Sequence, residues 1–417
     1  MDLLRTKVQP IGLDIGHGNI RMLQLAVESD SASSPKKADT RKLSVIAAAK
    51  HRVPESSKTD VQHRVKHAAE TIRKMFMQQP FIGRKVVAAL PREMVHVKNL
   101  RLPSIPEDEL LAAVEFEARN LFPFDVDQAR IQVLPAGEVR QGNEVRQEVI
   151  VLAVKNADAD SYLQQLSAVD VEVVGLDTEV TGLFRAFERF IRRREDEQEV
   201  HVIVDIGQRQ SRVIIGRGRE VSFYKPLDMG GLHLLDAIAR KLGITIDEAR
   251  ALRDRLLEAG EVPTAKKDPV RQAVYDATRS LAEDLARELA MCLRYYSVTF
   301  RGQRPARVRL VGPDAIDPQL QAIFKSTLSL PIEPARTLVN MDTSRMRATD
   351  RNGNLSEWSL AAGLSLRFVP GYFAALDGSA RQIVSVEHLS TNSSTVSSLV
   401  DSLPNVPLQM EATVAGA

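Results

Sequence analysis

Two segments of the chain repeat one pattern. Ile11-Gly-Leu-Asp-Ile-Gly-His-Gly-Asn-Ile-Arg21 and Ile203-Val-Asp-Ile-Gly-Gln-Arg-Gln-Ser-Arg212 both run from apolar, β-type residues into Asp-Ile-Gly. Each then crosses a short polar stretch and resumes as an apolar run after an arginine, Met22–Val27 in one copy and Val213–Gly216 in the other. Asp-x-Gly between strands is ordinary hairpin chemistry when it occurs once. Two copies in the same setting, with Asp14 and Asp205 191 positions apart, predict two related α/β domains that face each other and grip a phosphate chain from both sides. A glycine after the strand end, Gly16 or Gly207, lets backbone approach a ligand. Amide N–H groups in such a turn converge on an anion. The carboxylates of Asp14 and Asp205 would repel phosphate directly, so their expected place is on a bridging Mg²⁺ and its waters.

The rest of the composition removes other classes. With 56 basic and 54 acidic residues the net charge is +2, which gives no electrostatic case for nucleic acid. The lone cysteine, Cys292, excludes an intramolecular disulfide and a cysteine-based zinc cluster. It continues the stripe Leu281, Leu285, Leu289, so it reads as a core thiol. No apolar run approaches the ~20 residues of a membrane helix. The first residues, Met1-Asp-Leu-Leu-Arg-Thr-Lys, carry no signal-peptide core. The expectation is a cytoplasmic protein without direct membrane insertion, long enough for two to four domains.

Between the two copies the periodicity changes. Val61 to Met77 is helical, and Val86–Leu90 reads as a short buried strand. Residues 86–170 then read as a compact α+β unit. Ser104-Ile-Pro-Glu107 suggests a capping box for a helix with Leu110, Val114 and Ala118 on one face. That helix stops before Pro123, with Phe122 and Phe124 as a plug into the core. Strands at 131–134 and 148–154 and a helix over 157–169 complete the unit. A helix is expected over 179–193. After Met229-Gly-Gly231 the chain is helical to about Ser297, with a capping box at Thr245-Ile-Asp-Glu248 and Gly260 closing that helix. A strand at 307–311 ends in Gly312-Pro313. Residues 28–42 are a polar hairpin excursion, and 371–417 read as disordered.

Strand–Asp-Ile-Gly twice, then a strand ending in a glycine turn, resembles the actin-like ATPase superfamily. Within it the chain is similar to the PilM family of type IV pilus assembly proteins, which is related to FtsA. The likeness rests on Leu102-Pro-Ser-Ile-Pro-Glu-Asp-Glu-Leu110, Phe116-Glu-Ala-Arg-Asn-Leu-Phe-Pro-Phe124, Val174-Gly-Leu-Asp-Thr-Glu179, Met229-Gly-Gly231, Gly243–Ala249 and Ala361-Ala-Gly-Leu-Ser-Leu-Arg367, in the family's order over about residues 8–370. The resemblance implies an actin-like, ribonuclease H-like two-domain fold with an inserted α+β subdomain at 86–170. The first domain would take 8–85, 171–198 and 344–370. The second would take 199–230 and 290–343, with a helical subdomain at 231–289.

It also implies ATP with Mg²⁺ as cofactors. Asp14, Gly16, Gly18, Asn19 and Arg21 would serve one side, Asp205, Gly207, Gln210 and Ser211 the other, and Gly312 the adenosine. Several residues depart from the family's pattern. Arg209 stands in place of a glycine, Pro313 follows Gly312 where a second glycine is usual, His17 and Asn19 replace serines, Arg21 replaces a lysine, and Arg250 takes the place of a ribose-side glutamate. Weak ATP binding with little turnover is therefore expected. Glu179 is a candidate to polarise an attacking water, a capping carboxylate being the other reading. His17 reads as a solvated loop residue. The implied role is a scaffold of the pilus, or related type II secretion, inner-membrane platform. Its partner would be the cytoplasmic N-terminal peptide of a single-span, PilN-like protein, with self-association also open. An FtsA-like division protein polymerising at the membrane is the alternative. A sugar kinase would need an intact adenosine turn and a clear catalytic Asp, and the sequence supplies neither.

Overall fold

The computed structural model describes residues 6–28, 42–54, 61–258, 268–300 and 304–369. In chain order the strands of its first half are β1 (Thr6–Ile15), β2 (Asn19–Glu28), β3 (Lys42–Arg52), β4 (Lys85–Ala89), β5 (His96–Pro103), β6 (Ala129–Gln141), β7 (Glu144–Lys155) and β8 (Glu172–Asp177). The second half adds β9 (Val200–Ile206), β10 (Ser211–Arg217), β11 (Glu220–Leu227), β12 (Val308–Val311), β13 (Ile332–Pro334) and β14 (Met341–Asp342). The helices are α1 (Val61–Gln78), α2 (Glu107–Ala118), α3 (Asn156–Ser167), α4 (Glu179–Glu188), α5 (Gly231–Leu242), α6 (Ile246–Glu258), α7 (Pro269–Thr299), α8 (Pro318–Leu328), α9 (Ala348–Asn352) and α10 (Ser359–Ser365).

The sequence repeat is a structural repeat. One sheet has the order β3-β2-β1-β4-β8 and another β11-β10-β9-β12-β13. In both, the first three strands are antiparallel and the last three parallel. The strand that ends on Asp-Ile is central in each. It is covered on both faces, which is why Ile11–Ile15 and Val202–Ile206 are nearly continuous apolar runs. Strand β14 adds to β3 in the first sheet. Helix α10 lies across β1 and against α4 at very close range. A Cβ on Gly363 would run into the Gly182 carbonyl, and one on Gly12 into the Ala361 carbonyl. These glycines let α4 and α10 sit beneath the cleft between the two lobes.

A third sheet, β5-β7-β6, is inserted between β4 and α3. Strand β7 is apolar on both faces. Val149, Val151 and Ala153 pack with Leu110, Val114, Ala118 and Phe122, whereas Ile150, Leu152 and Val154 join the core of the first lobe. Phe122 and Phe124 stack at 5.4 Å between ring centres, the plug that the sequence suggested. The inserted sheet also reaches the second lobe. Strand β6 packs beside β11, and Arg101 Nη2 donates to the Tyr295 hydroxyl of α7 at 3.2 Å.

Several expectations need correction. Strand β4 pairs with β1 and β8, so the inserted unit starts after Leu90 rather than at Val86. Helix α3 packs on the first lobe, where the Tyr162 hydroxyl donates to the Ala89 carbonyl at 3.0 Å. Helix α2 starts after Pro106 with no side-chain cap, so Ser104 does not close a capping box. Thr245 and Glu248 do: each side chain accepts from the other's amide, at 3.2 and 2.8 Å. Helix α4 ends at Glu188, short of residue 193. Helix α7 is continuous through the expected boundary at 289–290. Its first half holds Val274 in the helical cluster, and its second half packs Leu285, Leu289 and Cys292 under the second sheet. Gly260, most of the 28–42 excursion and the 371–417 segment lie outside the described residues.

Candidate functional site in the interlobe cleft

The two Asp-Ile-Gly turns face one cavity of about 290 Å³, near the lower end of the range for ligand pockets. Asp14, Gly16, Gly18, Asn19 and Arg21 line it from the first lobe, and Asp205, Gly207, Gln208, Arg209, Gln210 and Arg212 from the second. Arg92, Glu93, Glu179, Gly312, Pro313 and Glu357 also face it.

The arginine that closes each repeat has a geometric purpose. Asp14 is directly opposite Arg21 in the β1–β2 ladder, and Asp205 directly opposite Arg212 in β9–β10. Cross-strand partners share a face of the sheet, so the charges must meet. Arg21 Nη1 donates to Asp14 at 3.3 Å and Nη2 to Glu357 at 2.9 Å. Arg212 Nη1 donates to Asp205 at 2.5 Å, and its guanidinium reaches Glu179 at 2.6 Å. The cavity thus holds two acid–arginine–acid triads. Because Glu179 opens α4 in the first lobe and Arg212 belongs to the second, one triad bridges the cleft. Gln208 crosses it too, since a Cβ on Gly18 would lie 2.9 Å from Gln208 Oε1.

The Arg212 triad sets one cation between two carboxylates, whereas in the Arg21 triad Lys50 brings a second cation to Glu357. Burial pushes the Asp14 carboxyl above its ordinary value against the pull of Arg21. Burial, helped by Asp205 and Asp14, pushes the Glu179 carboxyl up to about 7 although Arg212 lies beside it. Glu357 goes the other way. Its desolvation is outweighed by Arg21 and by Lys50, which donates to it at 2.6 Å, and its carboxyl is held low. Arg212 is held in its charged form by Glu179 and Asp205 despite full burial.

Other sequence-predicted residues fall variously. Gly16 and Gly207 do not adopt left-handed backbone. Gly207 is needed for space, because a Cβ there would come 2.6 Å from the Gln210 carbonyl. The Gly16 amide donates to the Asn19 carbonyl at 3.1 Å. In the second turn the Gly207 and Gln208 carbonyls accept from Gly231 and Leu232 at the start of α5, at 2.9 and 2.6 Å. In trans peptides the following N–H groups, of Gln208 and Arg209, therefore point away from that helix. Arg21 was expected to serve a phosphate, but both of its terminal nitrogens are engaged by carboxylates. Ser211 is fully buried, outside the cavity lining, and donates to the Met229 carbonyl at 2.6 Å. Gln210 Nε2 donates to Asp228 at 2.5 Å. Gly312 has φ +94, and a Cβ would sit 2.5 Å from the Ile206 carbonyl and 2.9 Å from Asp205 Oδ1. Its own carbonyl accepts from Asn354 and Ser356, so this turn buttresses the second aspartate. His17 is not a solvated loop residue: its Nε2 lies 2.9 Å from Glu93 and from Arg64.

Sequence reasoning missed Arg212, Glu357, Gln208, Arg64, Arg92 and Glu93 as cavity residues. Arg212 had a signal, its match to Arg21 at the same offset. Glu357 had none, because it is a single acid in a polar loop 336 positions from its partner. No group of three metal-ligating side chains stands together among the described residues, so an all-protein metal cage does not fit. Carboxylates on facing turns do fit a Mg²⁺ that keeps its waters and arrives with phosphates.

The profile of the type IV pilus assembly protein PilM family matches residues 12–369. A solved structure described as the PilM-PilN type IV pilus biogenesis complex superposes with a TM-score of 0.67 at 20% identity, covering 86% of this chain and 98% of that one. The ethanolamine utilization protein EutJ from Carboxydothermus hydrogenoformans matches less well, with a TM-score of 0.47 at 13% identity over 86% of this chain and 89% of its own. The comparison with curated proteins returned no match. The fold is actin-like, and the chain belongs to the PilM family of type IV pilus assembly proteins.

Proposed function

We propose that this protein is a scaffold of the pilus inner-membrane assembly platform. In this reading it binds Mg–ATP weakly and turns it over slowly. It sits in the cytoplasm, held at the inner membrane by the N-terminal peptide of a PilN-like, single-span partner. One observation carries the reading. The inserted sheet rests on both lobes, yet β5 pairs only with β7, so its other edge has no strand partner among the described residues. An extended peptide can add to such an edge through main-chain hydrogen bonds. Strand β7 is the central strand of this sheet and has no free edge to offer. The peptide groove in this reading runs along β5, around Lys98 and Asn99.

Weak nucleotide binding follows from the triads. Phosphates entering the cleft meet arginines already engaged by carboxylates, and the Arg212–Glu179 bridge must yield before the cleft can accept them. When bound, Mg²⁺ would supply positive charge beside Asp14, Asp205 and Glu179, through its waters. The chain's own contribution is to hold the two turns at a fixed separation. None of the described helices is long and apolar enough to cross a membrane.

Four measurements test the reading. Calorimetry with Mg–ATP should give weak binding and steady-state assays little turnover. Tight binding, or robust hydrolysis lost in Asp205→Ala, would overturn that part. A photo-crosslinker at Lys98 should capture a peptide copied from the partner's cytoplasmic tail, and one at Glu172 should not. In cells without the partner the protein should leave the membrane fraction. If it stays, it has another anchor.

A further inference from the structure

Five arginines line the cleft cavity, and they fall into two groups. Arg21, Arg64 and Arg212 are each held by a carboxylate. Arg92 and Arg209 make no ion pair among the described residues. The two enter from opposite sides. Arg209 is on the second Asp-Ile-Gly turn, beside the Gln208 and Arg209 amides that point away from α5. Arg92 is on the 3-10 turn Arg92–Met94, which leads from β4 straight into β5 and is the root of the inserted sheet. Its Nη1 donates to the Val95 carbonyl at 2.6 Å, and its Nε is buried with no acceptor. A guanidinium with a buried, unused Nε–H in a cavity that both Asp-Ile-Gly turns line suits a planar contact with a phosphate.

The neighbour of Arg92 makes that turn a stiff connection. The Glu93 carboxylate takes Arg64 Nη2 through both oxygens, at 3.0 and 3.1 Å, and lies 2.9 Å from His17 on the first Asp-Ile-Gly turn. Burial alone would raise that carboxyl, yet the hydrogen bond from His17 and the charge of Arg64 bring it down to about 2. Arg64 is almost fully buried on α1. With Glu93 fixed on two elements, a pull on Arg92 has little slack to absorb it and passes to β5.

We propose that Arg92 and Arg209 form a two-sided clamp for the terminal phosphoryl group of the nucleotide, and that Arg92 transmits the presence of that group to the β5 edge. This rests on the nucleotide-binding reading above. Arg92 is a positioning residue for the inserted sheet as much as a phosphate ligand, since it is the only cavity arginine on the turn that starts β5. The clamp distinguishes triphosphate from diphosphate, because only the former extends a group to both arginines.

Hydrogen exchange by mass spectrometry on the full chain tests this, with ADP and with a non-hydrolysable ATP analogue, each with Mg²⁺ at saturation. In the wild type, exchange over residues 92–103 should slow several-fold more with the triphosphate than with ADP. Arg92→Gln should bind the triphosphate about tenfold more weakly, lose its preference over ADP, and lose the extra protection of 92–103 even when saturated. Arg209→Ser, in an exposed loop, should lose the preference but keep the protection at saturation. Thermal melts within a few degrees of wild type would show that both variants fold. If Arg92→Gln keeps both the preference and the protection, the clamp is wrong while nucleotide binding stands. If the wild type binds neither nucleotide, the underlying reading fails and the clamp with it.

Discussion

Glu179 gives the sharpest test of the triad geometry, because its effect needs no ligand. Its carboxyl titrates near 7 in the folded protein, against an ordinary value of 4.5. The folded state therefore binds this proton more strongly than the unfolded state does. Stability from this group is complete below about 4.5, falls as pH rises, and is lost above about 7. At 1.36 kcal/mol per pH unit the loss is about 3 kcal/mol. Glu179→Gln keeps the shape of the side chain and removes the titration. Arg212 stays paired with Asp205 at 2.5 Å, so no buried cation is orphaned. The variant should match the wild type near pH 4.5 and exceed its unfolding free energy by about 3 kcal/mol at pH 8. Trp358 is the lone tryptophan, is fully buried, and follows Glu357 of the other triad, so its fluorescence in urea titrations reports on this region. A difference that stays flat from pH 4.5 to 8 would refute the reasoning. The triad would then have enough positive charge, and Glu179 would be an ordinary carboxylate. A large destabilisation at every pH would mean that the bridge to Arg212 outweighs the excess negative charge.

Three further outcomes follow from packing. Arg253 donates to Asp314 and, at 2.6 Å, to Asp317, all three buried, which ties α6 to the turn after Gly312. Arg253→Met should cost about 3–5 kcal/mol by leaving two buried carboxylates unpaired, seen as a lower thermal midpoint. Gly312→Ala places a Cβ on left-handed backbone at φ +94 and against the Ile206 carbonyl. It should cost about 1–3 kcal/mol in chemical denaturation; an unchanged midpoint would mean the turn relaxes freely. Burial pushes the Cys292 thiol up to about 11, so thiol reagents at pH 8 should leave it untouched in the folded chain and modify it in urea.

The doubled Asp-Ile-Gly device was legible in the sequence because it is local: a strand, a turn and a return strand within a dozen residues. The place of each copy at the centre of its sheet came only from the strand pairing. What escaped was set by tertiary pairing. Val86–Leu90 reads equally well as the last strand of one unit or the first of the next, and only its ladder with β1 and β8 decides. Ser104 and Glu107 have the spacing of a capping box, but Pro106 takes the N-cap position and the helix starts without a side-chain cap. Arg21 carried a phosphate-binding expectation by position. Its fate depended on Glu357, which arrives from the far end of the fold.

The same residues explain why the fold can be shared while the pocket differs. Placing an arginine across the ladder from each aspartate gives the carboxylate an ion-pair partner within the fold. A turn built this way keeps its shape empty, so the two lobes can be held together by Arg212 and Glu179 instead of by a bound phosphate chain. On the proposed reading the cost falls on affinity, since a nucleotide would compete with contacts the protein already makes to itself. On the same reading, the cleft would exchange between the bridged arrangement and a ligand-filled one. A ligand shifts such a balance only by its differential affinity for the two arrangements. Arg92 and Arg209, the two cavity arginines without a carboxylate partner, are where that difference can arise.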